Sequence, residues 1–133
     1  PENGKIKNGY GIWRYDKKDS ISFVKFKDNK IHIISFHIKG TYGGRFTPIL
    51  LNIKINDGQS KIIENLGEPS KIINFNEGYE RIYVYNQLNA FFMLKNNSVF
   101  HLGIFNPDLG VITIEDIKTI VSWLPPEGDL LYR

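Results

Sequence analysis

Two stretches of this chain follow one pattern. "SFVKFKDNKIHIISFHI" occupies residues 22–38 and "AFFMLKNNSVFHLGIF" residues 90–105. In each, apolar and other side chains alternate, a polar Lys-Asp-Asn or Lys-Asn-Asn turn follows, and alternation resumes. Period-two patterning around an Asn-rich turn predicts a β-hairpin. The likeness extends upstream: Trp13 and Tyr15 fall on Tyr83 and Tyr85 once a gap of two residues is allowed. Phe23, Lys25 and Lys27 then fall on Phe91, Met93 and Lys95, and Pro1 falls on Pro69. Such self-similarity predicts two copies of one antiparallel unit, the first without a helix of its own in front.

That helix is expected in "KINDGQSKIIENLGEPSK", residues 54–71. Ile62, Ile63 and Leu66 recur at helical spacing. Ser60 is read as the N-cap, Gly67 as the residue that closes the helix with positive φ, and Pro69 as the stop. A phosphate loop would place its glycines before the helix and follow them with Lys and Ser/Thr. Here a glycine ends the helix, so the stretch is read as structural. "ILLNIKI" (49–55) reads as one strand, and "GTYGGRFTP" (40–48) as a loop. "KIINF" (71–75), "ERIYVY" (80–85) and the hairpin at 90–105 complete the second unit. A second helix is expected within 111–124, capped by Thr113, with Ile114, Ile117, Ile120 and Val121 on one stripe. Leu130, Leu131 and Tyr132 lie in an exposed tail.

The expected fold is α+β: one antiparallel sheet from two degenerate repeats, with short helices packed on one face. A single domain spans 1–133, with repeat 1 at about 1–48, repeat 2 at about 49–110 and a C-terminal helix and tail at 111–133. A Gly-x-Ser, an apolar helical turn and Leu-Gly-x-Pro, here Gly58, Ser60, Ile63, Leu66, Gly67 and Pro69, followed by antiparallel strands in tandem, resemble a known group. That group is the fold shared by the beta-lactamase inhibitor protein and the SmpA/OmlA lipoproteins. The resemblance covers residues 56–105 well and 1–38 in part. It implies architecture and a habit of binding proteins. No lipidation cysteine and no match to the inhibitor's contact loops are present, and a shared fold does not transfer a target.

Composition narrows the function classes. There is no cysteine, so disulfides and thiolate metal sites are excluded. No apolar run reaches the roughly 18–20 residues of a membrane-spanning helix. The Ile-, Asn- and Lys-rich usage fits an AT-rich, bacterial genome. The polar N-terminus is not a signal peptide. Cytoplasmic location is expected, or periplasmic if a signal sequence has been removed. Charge is asymmetric: residues 1–54 carry 11 Lys/Arg and 4 Asp/Glu, net +7, whereas 55–133 carry 6 and 10, net −4. The basic half would steer an acidic partner. His32 and His37 are an odd number apart on one strand and point to opposite faces. No metal, no cofactor and no catalytic residue is expected, and no nucleophile elbow is present. Glu115 and Asp116 suit the start of a helix.

Alternation divides the strands into two faces. Val24, Phe26, Ile34, Phe36, Phe92, Leu94, Leu102 and Ile104 form an apolar set, expected to be the core. The opposite set holds Phe23, Lys25, Lys27, Phe91, Met93, Lys95 and His101, to which the repeat pairing adds Trp13, Tyr15, Tyr83 and Tyr85. Arg14 conflicts with this choice, because it turns inward beside Ile12. Aromatic, Met and cationic side chains on a rigid sheet are what protein interfaces favour. The second face is therefore either an interface or a second core layer. The leading expectation is a non-enzymatic protein-binding module, an inhibitor or immunity protein occluding a toxin or enzyme. A truncated envelope module of SmpA/OmlA type and single-stranded nucleic-acid binding are the alternatives.

Overall fold

A computed structural model describes residues 5–9, 11–16, 20–38 and 48–124. Pro1, most of the 40–48 loop and the tail at 125–133 lie outside these residues. The architecture is α+β, dominated by antiparallel pairing. In chain order the elements are β1 (Lys5–Gly9), β2 (Ile12–Asp16), β3 (Ser20–Lys27), β4 (Lys30–Ile38), β5 (Ile49–Leu50) and β6 (Ile53–Lys54). Then come α1 (Gln59–Leu66), β7 (Lys71–Phe75), β8 (Glu80–Tyr85), β9 (Ala90–Lys95), β10 (Ser98–Phe105) and α2 (Ile114–Ser122). The main sheet runs β1-β2-β3-β4-β10-β9-β8-β7, and β5-β6 form a small separate ribbon. β1 is not foreseen in the polar N-terminus. The single strand expected at 49–55 is instead this ribbon, turned by Leu51 and Asn52 at positive φ.

The sheet is two four-stranded meanders joined at their last strands. The register carries the repeat. Trp13 pairs with Val24 as Tyr83 pairs with Phe92, and Tyr15 pairs with Ser22 as Tyr85 pairs with Ala90. Val24 pairs with Ile34 as Phe92 pairs with Leu102. The bulge falls at the same place: His32 is the extra residue in β4 and Phe100 in β10. The turns match too, with φ of 53° and 61° at Asp28 and Asn29, and 53° and 64° at Asn96 and Asn97. Asn and Asp tolerate these left-handed angles, which give the turn the twist of its strands. β1 departs from the expected alignment. Asn8 opposes Trp13 where Ile72 opposes Tyr83, so Lys5, not Pro1, is the counterpart of Pro69.

At the seam His37 pairs with His101, Ser35 with Gly103, and Ile33 with Phe105. Under the repeat Ser35 and Gly103 are equivalent, so an approximate two-fold axis passes through this pair, perpendicular to the sheet. A Cβ on Gly103 would lie 2.6 Å from the Ser35 Cβ and 2.8 Å from the Phe91 ring. Only glycine fits where that ring crosses the backbone.

The helices lie on opposite faces, not on one. Ile117 and Ile120 of α2 pack with Ile12, Ile21, Phe23, Ile33, Phe91 and Met93. Ile62 of α1, with Ile53 and Ile55 of the ribbon, packs with Tyr83, Tyr85, Phe92, Leu94 and Leu102. Both helices are punctuated. Gly67 has φ 79° and ends α1, its N–H donating to the Ile63 carbonyl; the N-cap is Gly58 rather than Ser60. α2 begins with a full capping box between Thr113 and Asp116.

Candidate partner-binding face

Where α2 lies, the sheet is closed. Phe23, Phe91, Met93 and His101, expected on an open face, are fully buried beneath it. Lys25 is also turned inward: its Nζ lies 3.0 Å from Asp116 Oδ1, at the start of α2. Burial alone would raise the Asp116 pKa, but hydrogen bonds from Lys25 and the Thr113 backbone hold it below the usual carboxylate range. Arg14 lies on this face as well. Its guanidinium pairs with Asp16 at 2.6 Å and donates to the Trp123 carbonyl at the end of α2, also at 2.6 Å. Two basic residues of the first unit thus reach both ends of the C-terminal helix α2. The Asp116 carboxylate at the N-terminus and the Arg14 guanidinium at the C-terminus complement the helix dipole, and Lys25 reaches the N-terminus as the counter-ion of Asp116.

The histidines are packing groups. His101 is completely buried against Phe23 and Phe91, with its Nδ1 3.4 Å from Nδ1 of His37. Burial pushes His37 down to about 4, and burial together with His37 pushes His101 well below its ordinary value. His32 contacts the Gly110 carbonyl through Nε2 at 2.7 Å. Among the described residues no three His, Cys, Asp or Glu side chains are grouped so as to hold a metal ion.

Tyr83 and Tyr85 lie on the other face, against the expectation that they share one with Phe91. Both are buried under α1, and Tyr85 Oη donates to the Gly67 carbonyl at 2.8 Å. Burial and the nearby Tyr83 and Glu68 push the Tyr85 phenol up to about 12. Lys27 is exposed at its hairpin tip, and Lys95 is half-buried. The expected binding surface is therefore not one surface. Trp13 and Tyr15 alone of its aromatic residues escape full burial.

They belong to a different apolar surface: the half of the α1 face built from β2, β3 and β4. Trp13 is 46% exposed and meets Phe26 edge-on, with centroids 6.1 Å apart. Val24, Ile34 and Phe36 are half-buried, and Ile104 of the neighbouring unit is 43% exposed. Beside them an apolar groove of about 290 Å³ runs between Ile34, Phe36, Leu102 and Ile104 on one side and Pro48 to Leu50 on the other. Of these, Val24, Phe26, Ile34, Phe36, Leu102 and Ile104 are residues that alternation assigned to the core. The available signal was the repeat itself, whose leading helix was read in front of the second unit only.

Known families and structures give no match. Neither a family model, nor a curated protein, nor a solved structure is similar to this chain. Among the described residues no helix covers this half-face, and it has to be interpreted from its own chemistry: aromatic and branched aliphatic side chains on a rigid sheet. Among the described residues no helix is long and apolar enough to cross a membrane.

Proposed function

We propose that this chain is a protein-binding module of the inhibitor or immunity type, acting by occlusion rather than by chemistry. Its partner sits on the uncovered half of the α1 face. One observation carries the reading: Trp13, Phe26, Ile34, Phe36 and Ile104 form an apolar surface that neither described helix covers. Contiguous exposed apolar area of this kind marks interaction sites, and a tryptophan anchored against a second ring is a common hot spot. The excess positive charge of residues 1–54 supports an acidic partner. The burial of His37 and His101 in the packed interior supports a role without proton transfer.

The test uses the chain as bait in extracts of its source cells, beside a Trp13→Asp/Ile104→Asp double variant of unchanged thermal stability. The reading expects a protein held by the original chain and lost by the variant. If both baits hold the same proteins, the half-face is not the binding surface.

A further inference from the structure

The two-fold axis at Ser35–Gly103 states what the uncovered half-face is shaped to hold. Operating on the sheet, it brings Tyr83 onto Trp13, Tyr85 onto Tyr15, Leu94 onto Phe26, Leu102 onto Ile34 and Val99 onto Ile31. On the second unit these positions are the seat of α1. Tyr83 is 1% exposed and Val99 0%, against 46% for Trp13 and 47% for Ile31.

Two polar details follow the same symmetry. Tyr85 Oη satisfies the C-terminal carbonyl of α1 at Gly67, whereas Tyr15 Oη is buried without a hydrogen-bond partner. The segment leading into α1 pairs with the start of β10. Asn56 donates to the Val99 carbonyl at 2.8 Å, Val99 donates to Asp57 at 2.9 Å, and Gln59 donates to Asn97 at 3.1 Å. At the equivalent strand start, Asn29 to Ile31, no backbone hydrogen bond leaves the hairpin among the described residues.

We propose that this half-face takes a short, acidic, amphipathic helix of a partner protein, seated as α1 is seated on the other half. The entering segment pairs with Lys30–Ile31, two apolar side chains fill the space between Trp13, Phe26 and Ile34, and Tyr15 receives the last carbonyl. Acidity follows from charge complementarity, because residues 1–48, the unit carrying this seat, hold 10 Lys/Arg against 4 Asp/Glu, net +6, and Lys30 is exposed beside the entry point. Helix-in-groove docking through such anchors is a general recognition mode. The inference rests on the proposed protein-binding role and names the shape of what is bound.

The probe is a dye-labelled, helix-stapled peptide of residues 54–68 carrying Lys54→Glu and Lys61→Glu. Its anisotropy is measured against the whole chain. Saturable, salt-sensitive binding is expected, weakened roughly tenfold or more by Trp13→Ala and severalfold by Tyr15→Phe. Ile72→Ala, at the far edge of the sheet, should leave it unchanged. The inference is overturned if the probe does not saturate at about millimolar concentration, or if Trp13→Ala has no effect. It is also overturned if sedimentation shows a dimer that Trp13→Ala dissolves, since the occupant is then a second copy. A bait experiment in which Trp13 and Ile104 matter while the probe fails rejects the helix alone. Loss of both results rejects the binding role as well.

Discussion

The two halves of the α1 face share strand order, pairing register, bulge position and turn conformation. They differ in burial. Phe92 and Tyr83 are enclosed, while their counterparts Val24 and Trp13 meet solvent. Backbone pairing is therefore not what makes a sheet face into core. A covering element does that, and here it is a two-turn helix with a short ribbon. The same side-chain geometry becomes structural on one half and available on the other.

The sharpest way to break this comparison is truncation at matched positions. Phe92→Ala and Tyr83→Ala should each cost about 3–5 kcal/mol of folding stability, because the cavity left under α1 cannot close. Trp13→Ala, at the position matching Tyr83, should cost under about 1 kcal/mol, as surface truncations do. Urea denaturation of the three variants would decide it. Equal losses at Trp13 and Tyr83 would mean that both halves are core.

A second test concerns the seam between the halves. Both His37 and His101 are neutral when folded, with pKa values below those of the unfolded chain. The unfolded state then binds more protons below about pH 6.5, so stability is fully present above that value and is lost as pH falls toward 4. His37 alone accounts for roughly 3 kcal/mol over this interval. Denaturation midpoints measured across it should fall steadily, and His37→Phe should flatten the slope.

Gly67→Ala probes the element that makes the halves unequal. With φ 79° and ψ −166° this residue occupies a region open almost only to glycine, although no atom lies within 4 Å of an added Cβ. The expected cost is about 1–3 kcal/mol of backbone strain, read as a lower thermal midpoint. Binding by the folded fraction should not change. The smallest expected difference is between two hydroxyls. Tyr85→Phe should lose about 1 kcal/mol with its hydrogen bond to Gly67. Tyr15→Phe should be neutral or slightly stabilising, since its Oη has no partner to lose.

Much of the local structure was legible in the sequence because it depends on neighbours along the chain. The Asn-rich turns, the glycine ending α1 and the Thr113–Asp116 cap all follow from residue types at fixed short spacing. The repeat was legible for the same reason, apart from the register of β1. Face assignment was not. Alternation says which residues of one strand share a face, but β8 and β9 must also be aligned with each other. Tyr83 opposes Phe92, not Phe91. A slip of one residue moves a whole strand to the other face, and that slip also made Arg14 look misplaced. Which face a helix covers depends on chain crossings that periodicity does not encode. Both faces are apolar, so composition could not choose between them.

The seam has a consequence for how the molecule assembles in time. Each meander is built from hairpins between adjacent strands, which close quickly from nearby residues. The β4–β10 pairing instead joins residues such as His37 and His101 that are 64 positions apart, and the Arg14 contact with Trp123 spans 109. Contacts of such separation carry the largest loop-closure cost and slow folding. The folding barrier should therefore lie at the joining of two preformed sheets, with Gly103 at its centre. Any side chain there would obstruct the event on which the rate depends.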